Sequence, residues 1–479
     1  MAESAVSFSI DTEVTPAYYE ELIKYTYQNY VLSNGRNFTN VSQSSFNGTH
    51  VLSFTAVDPN GKWNVNAEMK TGKPIQITLQ PSDAGVPLVV LDRLREDLII
   101  VIQYFEELVR RSTLYFAWVE GKDVVPEKSP FRRARLIERI LFGNILFLFM
   151  IMILISIVLF LVIGYYAALV LVAGQFLLVI FSARLIGTMA EWNVTEQNPK
   201  VHILQYHLPA QERLEFQQKY PREKLLQMKK EIYDKTIALG KPVECETARE
   251  VMAKHGLECS PENMGTKTVN VYQIVQETTS KFNLPVPKIA ISNTMVPNAA
   301  AAGPSPSHGV VLITTGLLVQ LEENEIRTVL GHELSHLKSR DPFVLFGIVS
   351  VEYLFRVFFL MSYFPVFFSY FGGLFYLLFI LFAIYFIAKF FEARADLESA
   401  IKIGNPKVLA GALRKIGFRR LQFERSPAYR IQDWITWDPH PPLYFRIARL
   451  EKMDKAPVEV KHTFIQSAKD CIRGFFAAF

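Results

Sequence analysis

The residues with the clearest chemical potential are two histidines and a glutamate in the pentapeptide His332-Glu333-Leu334-Ser335-His336. The surrounding segment, 322–339, repeats apolar side chains at helical spacing and predicts a helix. Because helix positions four apart share one face, both imidazoles can hold one metal ion. Glu333 then lies beside the ion, where its carboxylate can deprotonate a bound water. The alternative is a pair of surface histidines on an amphipathic helix.

A catalytic zinc site needs a third protein ligand, and Glu392 is the best candidate. Glu392 and Asp396 follow an apolar block, 343–388, that is long enough for a membrane hairpin. Such a hairpin returns the chain to the same membrane surface from which it entered, which brings Glu392 close to the two histidines. Asp396 is one turn further along the predicted helix, where it can accept the N–H of a ligating imidazole. The alternative for both acids is an ordinary solvated helix start.

Two long apolar blocks, 140–183 and 343–388, predict a membrane protein with four spans. The tripeptide Gly164-Tyr165-Tyr166 supplies a turn within the first block, and Pro365 with the Gly372-Gly373 pair divides the second. Basic residues flank the outer ends of both blocks. The positive-inside rule therefore places both termini and the H-E-x-x-H segment in the cytoplasm, and only the two turns beyond the cell membrane. The predicted spans are 140–163, 167–185, 343–361 and 370–388.

The overall composition fits a folded protein that works in a reducing compartment. The chain has 479 residues, of which 50% are hydrophobic, and a net charge of +5. These values exclude a disordered or collagen-like chain. The small net charge, with no basic stripe, argues against a nucleic-acid partner. The three cysteines are too few for a disulfide framework, and the N-terminal residues lack the apolar segment of a cleaved signal peptide.

The segments outside the apolar blocks predict separate soluble parts. Residues 1–130 predict an α+β module, with strands over 51–57, 63–69 and 74–79 and a helix over 91–111. This module contains no motif that could do chemistry. The predicted division of the chain is 1–130 (N-terminal module), 131–189 (first membrane hairpin), 190–285 (charged, mostly helical segment), 286–342 (first catalytic part), 343–389 (second hairpin) and 390–479 (second catalytic part).

The order of these motifs resembles the M48 family of membrane zinc metallopeptidases, which includes HtpX-type and Ste24-type proteases. An H-E-x-x-H helix, a membrane hairpin and then an E-x-x-A-D segment from Glu392 to Asp396 follow the family's order. Further segments resemble other family motifs. They are 297–303, 310–318, and His440-Pro441-Pro442 with Arg446, Ile447 and Leu450. The resemblance covers roughly 270–455 and the first hairpin by position, but not 1–130.

The resemblance implies a metal centre with one zinc ion per chain. The residues it implies for that centre are His332, His336 and Glu392 as zinc ligands, Glu333 as general base and Asp396 behind the ligands. Arg446 would serve a structural ion pair. The implied fold is a multi-pass α-helical membrane protein with a zincin-like α+β metalloprotease domain and an N-terminal α+β module.

The resemblance also implies how a substrate would be held. Asn298, Ala299 and Ala300 would belong to an edge strand that pairs with an extended peptide. His440 would help stabilise the tetrahedral oxyanion, although a histidine in a proline-rich loop is an equal alternative. The family carries an aromatic residue where this chain has Ala300, which changes the expected shape of the substrate pocket. The charged insertion before Val269 is a second departure.

Three functional hypotheses follow. The first is an HtpX-like endopeptidase that degrades misfolded membrane proteins for quality control, with protein substrates and the lipid bilayer as partners. A Ste24-like CAAX processing protease is the second, but that type encloses a chamber with seven spans. The third is a non-catalytic membrane receptor or scaffold, which the intact H-E-x-x-H argues against. Glu352 and Arg356, four residues apart within the third span, predict an internal ion pair or a hydrated groove.

Overall fold

The structure, a computed structural model, describes residues 5–82, 85–125, 145–208, 216, 219–257, 263–369, 371–453 and 462–479. The chain divides into two compact units. The first contains Met1–Glu120 and His202–Thr268, and the second contains Gly121–Val201 and Val269–Phe479. Residues 140–144 of the first predicted span and Tyr370 of the fourth lie outside the described residues. The division predicted from the sequence stays a prediction.

The helices and strands are numbered in chain order. The strands are β1 Val6–Ile10, β2 Phe38–Phe46, β3 Thr49–Val57, β4 Asn64–Lys70, β5 Ile75–Pro81, β6 Thr113–Val119, β7 Trp192–Val194, β8 Lys200–His207, β9 Met264–Asn270, β10 Lys288–Ser292, β11 Ala299–Ala302 and β12 Val310–Thr314. The main helices are α1 Tyr19–Thr26, α2 Leu88–Arg111, α3 Ile145–Ile163, α4 Ala167–Gly187, α5 Arg222–Lys235, α6 Cys245–Lys254, α7 Val271–Phe282, α8 Thr315–Gln320, α9 Glu323–Ser339, α10 Asp341–Phe355, α11 Phe371–Ile403, α12 Pro406–Phe423, α13 Pro427–Ile435, α14 Leu443–Glu451 and α15 Thr463–Ala477.

The first unit contains a five-stranded antiparallel sheet with the order β1-β5-β4-β3-β2. Strands β4 and β5 bury every second residue, which is the pattern of a sheet with one face on a core. Apolar side chains of the sheet, α1 and α2 form one core that includes Leu22, Leu52, Ile77 and Leu98. The three strands and the helix predicted within residues 1–130 are confirmed.

A second sheet in this unit has the order β6-β8-β9. The first two residues of β8 and the last two of β9 are assigned to the second unit. Strand β6 follows α2 almost directly, and β8 and β9 lie far from it in sequence. The pairing therefore joins segments that the sequence separates by an apolar block.

The second unit is built on a four-stranded sheet with the order β11-β12-β10-β7. Strands β10 and β12 are parallel, while β11 pairs with β12 in the antiparallel direction. Strand β11 is thus an edge strand. Strand β12 leads through the short helix α8 into α9, which carries the H-E-x-x-H segment.

Three helical runs are long and apolar enough to cross a membrane among the described residues. They are Ile153–Gly187, Asp341–Tyr363 and Phe371–Ile403. The first run contains a break at Gly164, whose positive φ of 61° separates α3 from α4. The third run, α11, continues past its apolar part without a break, so that Glu392 and Asp396 lie on the same helix.

Candidate metal centre

Helix α9 presents His332 and His336 from one face, one turn apart. A capping box formed by Glu322 and Glu325 satisfies backbone N–H groups at the start of the helix. The two imidazole rings meet edge to face, and their Nε2 atoms are 3.2 Å apart. Both nitrogens therefore point toward one position, as expected from the four-residue spacing.

Glu392 on α11 faces the same position. Its Oε2 lies 3.3 Å from His332 Nε2, and its Oε1 lies 3.3 Å from His336 Nε2. The three side chains each offer one ligand atom, and these atoms lie within 4.8 Å of one another. The structure thus brings together the two histidines and the acid that were predicted as a ligand set.

Close packing of α9 against α11 produces this arrangement. Gly331 lies where a Cβ atom would come within 2.8 Å of Ser399 Oγ, so a larger residue would push the helices apart. The Ser399 hydroxyl donates to the Thr328 carbonyl at 2.6 Å, and the Ser335 hydroxyl donates to Glu398 Oε2 at 2.9 Å. These contacts fix the register of the two helices and therefore the position of Glu392.

Each histidine has a carboxylate behind its Nδ1 atom. Asp396 Oδ1 lies 2.9 Å from His332 Nδ1, although the angle of this contact is poor for a hydrogen bond. Asp341 Oδ2 lies 2.7 Å from His336 Nδ1. Such partners orient metal-binding imidazoles and hold the Nε2 lone pair toward the ion. The sequence predicted Asp396 in this role but not Asp341.

Two arginines complete the charge balance. Arg446 donates two hydrogen bonds of 2.8 Å to Asp396, as the predicted structural ion pair requires. Arg394 donates to Asp341 at 2.5 Å. Asp341 begins α10 directly after Arg340, whose φ of 55° ends α9. An acid at the first turn after H-E-x-x-H was the available sequence signal for Asp341.

The electrostatics of the pair of histidines follow from these neighbours. Burial by itself would lower the pKa of His336, but the Glu392 carboxylate and the Asp341 hydrogen bond raise the pKa to about 10. The pKa of His332 is also raised, because Asp396 and Glu392 outweigh the effect of its burial. The cluster is therefore strongly attractive to positive charge.

The donor set fits a divalent cation. Among the described residues Glu392 Oε2 has no hydrogen-bond partner, although it is buried. A buried carboxylate oxygen without a donor is costly unless a cation neutralises it. Two imidazole nitrogens and one carboxylate are also the ligand set of several catalytic zinc sites.

The Glu333 carboxylate contacts strand β11. Its Oε2 accepts a hydrogen bond of 3.0 Å from the Ala301 backbone N–H. The backbone of Asn298 instead bonds to Thr314 on the neighbouring strand. The Asn298 N–H donates to Thr314 Oγ1 at 2.9 Å, and the Asn298 carbonyl accepts from the Thr314 N–H at 3.1 Å. Backbone groups alternate along a strand, so Ala299 and Ala301 face the open edge, while Asn298 and Ala300 face β12. The sequence did not single out Ala301.

His440 lies at the rim of this cluster and is half exposed. Its Nε2 is 3.5 Å from Glu392 Oε2. Asp438 Oδ1 contacts both the backbone N–H and Nδ1 of His440 at 2.9 Å, and Arg420 holds the other Asp438 oxygen at 2.7 Å. Burial would raise the pKa of Asp438, but its contacts with His440 and Arg420 hold that pKa below the ordinary value.

A buried acid, Glu424, also stabilises the segment that follows His440. Glu424 accepts hydrogen bonds from the backbone N–H groups of Leu443 at 2.7 Å and Tyr444 at 2.6 Å, at the start of α14. Burial raises the pKa of Glu424 to about 7. Neither Asp438 nor Glu424 was predicted, since their role depends on which segments meet in three dimensions.

Glu352 and Arg356 pair with each other at 2.9 Å, as the sequence predicted for an internal ion pair. The Tyr376 hydroxyl on α11 donates to Glu352 at 3.2 Å. This pair lies within the second apolar run, Asp341–Tyr363, and none of these three residues belongs to the metal cluster.

Comparisons with known proteins agree on one family. The family model described as Peptidase family M48 matches residues 266–454. A protein named Protease HtpX homolog from Desulfatibacillum aliphaticivorans is 34% identical over 38% of this chain and 68% of its own length. Its namesake from Thermodesulfovibrio yellowstonii is 30% identical over 42% of this chain and 80% of its own length. Protease HtpX homolog 2 from Methanosarcina acetivorans is 33% identical over 36% of this chain and 68% of its own length.

Proposed function

Because the chain belongs to peptidase family M48 and is a membrane metalloprotease, we propose that His332, His336 and Glu392 bind one zinc ion and form its active site. The observation that carries this proposal is the meeting of Glu392 with the two Nε2 atoms, at 3.3 Å each. Zinc is the metal that this ligand set favours, and a three-residue set leaves a position open for water.

The roles of the surrounding residues follow from their positions. Zinc bound by this set supplies Lewis-acid chemistry, which acidifies a water and polarises the scissile carbonyl. Glu333 accepts the proton of the attacking water and later donates it to the leaving amine. Asp396 and Asp341 keep the two imidazoles in the orientation that a ligand needs.

The edge strand β11 supports a mode of peptide binding. An extended substrate would pair with the open N–H and C=O groups of Ala299 and Ala301. Glu333 accepts from the Ala301 N–H in the absence of a peptide, so substrate pairing and release of Glu333 would be coupled. Of the three residues that the sequence predicted for this strand, Asn298, Ala299 and Ala300, the proposal assigns pairing to Ala299 and adds Ala301.

His440 is proposed to donate from Nε2 to the developing oxyanion. Its half-exposed ring lies beside Glu392, and Asp438 keeps a proton on Nδ1 or holds the ring in place. Fixed donors aimed at the developing charge lower the barrier of acyl transfer.

Membrane proteins are the proposed substrates, and their quality control is the proposed role. The break at Gly164 supports a division of the first apolar run into two spans, which gives four spans in total. The basic flanks support a cytoplasmic active site. A single helix, α11, carries both the apolar run and Glu392, so the active site would lie just beyond the membrane surface.

Metal content and proteolysis of wild type and Glu333→Gln test this function. We expect the variant to retain zinc and to lose a factor of about 100 to 10,000 in cleavage rate, as for removal of a general base. Glu323→Gln on the exposed face of the same helix is the matched control and should cleave like wild type. Zinc-free wild type, or full proteolysis by Glu333→Gln, would contradict the proposal.

A further inference from the structure

A cleft of about 780 Å³ is lined mainly by helices α13, α14 and α15 and by none of the three candidate metal ligands. Its lining combines basic side chains with apolar ones. The residues that matter below are Arg449, Lys452, Arg473, Phe445, Ala478 and Phe479. None of them has a role in the proposed proteolytic mechanism.

Contacts of α15 place this cleft at the end of an apolar span. Phe475 on α15 packs against Phe386 and Phe382 of α11, with ring centroids 5.4 Å and 6.3 Å apart. Those two residues belong to the apolar part of α11, which ends at Lys389. The Cys471 thiol, one turn earlier on α15, contacts the Lys389 carbonyl at 3.7 Å. Helix α15 therefore runs from the polar end of α11 toward its apolar part.

Arg449 lies at the depth expected for lipid headgroups, and Arg473, two residues after Cys471 on α15, lies close to the level of Lys389. Arg449 donates to the Ala393 carbonyl at 2.5 Å, four residues beyond Lys389 on α11. At a rise of 1.5 Å per residue this is roughly 6 Å past the apolar part. The headgroup layer on each side of a bilayer is about 5–7 Å thick. Phe476 and Phe479, both exposed, extend α15 on the membrane side.

Among the residues that the structure describes, the lining of the cleft carries more positive than negative charge. Its one acid, Asp470, is engaged by Arg449 at 2.9 Å. Lys452 and Arg473 are exposed, and neither has a carboxylate partner in the part of the chain that the structure describes. A polybasic site next to an apolar groove matches a molecule with a negative head and an apolar tail.

We propose that this cleft binds a phospholipid with an anionic headgroup. The phosphate lies between Lys452 and Arg473, and an acyl chain follows Phe445, Ala478 and Phe479. A soluble anion would use only the basic half of the cleft, whereas a zwitterionic lipid would leave the excess positive charge unpaired. Such a lipid would tie α15 and α14 to the membrane surface next to α11.

Lipid binding by the full chain, purified in a neutral detergent, tests the proposal. Native mass spectrometry would compare retention of phosphatidylglycerol and phosphatidylcholine by wild type and by the double variant Lys452→Gln/Arg473→Gln. A basic residue near an anionic surface contributes about 1 kcal/mol, and 1.4 kcal/mol is a factor of ten. The double variant should therefore bind phosphatidylglycerol roughly thirtyfold more weakly, with its weak binding of phosphatidylcholine unchanged.

The matched control is Lys402→Gln/Lys407→Gln, which removes the same charge from exposed positions outside the cleft. It should bind phosphatidylglycerol like wild type. An equal loss in the control, or undiminished binding by the cleft variant, would overturn the proposal. Inorganic phosphate is added as a further arm, and displacement of the lipid by millimolar phosphate would show a soluble-anion site instead.

Discussion

Two histidines with little exposed surface, His207 in the first unit and His336 in the second, have pKa values shifted in opposite directions. His207 in the first unit has a pKa lowered to about 4, because burial disfavours its charged form and Lys73 adds repulsion. His336 in the second unit has a pKa raised to about 10, although burial alone would lower it as well. The difference lies in the neighbours: His207 bonds to the neutral Thr113 hydroxyl, whereas His336 lies between Asp341 and Glu392.

This contrast shows how the second unit departs from an ordinary core. Its buried polar groups form a chain of alternating charge from Arg446 through Asp396 to His332, and from Arg394 through Asp341 to His336. In the first unit apolar side chains form the sheet core, and charged residues such as Glu106 and Lys229 are buried there as well. Buried charge is costly unless it is paired, so its concentration in one cluster indicates a site kept for function. Four predictions test this contrast.

The largest effect should come from Glu392→Ala. Removal of the carboxylate deletes one of three candidate ligands and leaves two imidazoles with no shared anion. Loss of a residue that only hydrogen-bonds to a metal ligand lowers metal affinity by up to roughly 100-fold. We expect Glu392→Ala to lower zinc affinity by more than this, and proteolysis to be lost with the metal. Elemental analysis of the purified protein measures this. The control Glu323→Ala should keep its zinc, and full occupancy in Glu392→Ala would remove that residue from the ligand set.

A smaller effect should follow from Asp341→Asn. The amide can still contact His336 Nδ1, but it lacks the charge that makes this imidazole a strong donor and that pairs with Arg394. We expect zinc affinity to fall by about 10- to 100-fold, measured by competition with a chelator. Asp470→Asn, which breaks an acid–arginine pair outside the cluster, is the matched control. Equal affinities for wild type and Asp341→Asn would show that this contact only supports the fold.

The sequence predicted the ligand set because its logic is local. The four-residue spacing of His332 and His336 needs only a helix, and a membrane hairpin is enough to return Glu392 to the same level. Asp341, Arg394 and Asp438 could not be assigned, since each depends on which side chains meet across separate elements. Asp341 was the nearest to being predictable, because it closely follows the H-E-x-x-H segment in the sequence.

The same limit applies to the fold. Strands β4 and β5 were predicted because they alternate buried and exposed residues. Strand β2 was not, since nearly all its side chains are exposed and its Asn, Ser and Gln residues carry no apolar pattern. The pairing of β6 with β8 was also beyond prediction, because strand partners distant in sequence leave no periodic signal.

The next prediction concerns His207 and the stability of the first unit. Its folded pKa of about 4 lies below the ordinary value of 6.5, so the unfolded chain binds the proton more readily. Its contribution to stability is therefore present above pH 6.5 and is lost as the pH falls toward 4. From pH 7.5 to 5.5 the loss amounts to about 1.3 kcal/mol.

Pulse proteolysis of the first unit in urea, at pH 7.5 and 5.5, measures this loss. His207→Gln should show a shallower fall in unfolding free energy between the two pH values, since it removes the group that titrates. His50→Gln, a histidine of the same unit that is less buried, is the control and should follow wild type. Identical pH dependence in wild type and His207→Gln would contradict the assignment of the low pKa.

The smallest effect should come from Glu20→Gln, which breaks an ion pair of 2.6 Å with Lys24 on the surface of α1. The pair has shorter contacts than those between Glu392 and the histidines, yet both side chains are about 60% exposed. Water and salt screen such charges, and ordering two long side chains offsets much of the attraction. We expect no measurable change in the urea midpoint of the first unit. A clear loss of stability here would show that the distance between the charges, rather than their burial, sets the strength of ion pairs in this protein. The buried charges of the metal cluster would then not differ in kind from those on the surface.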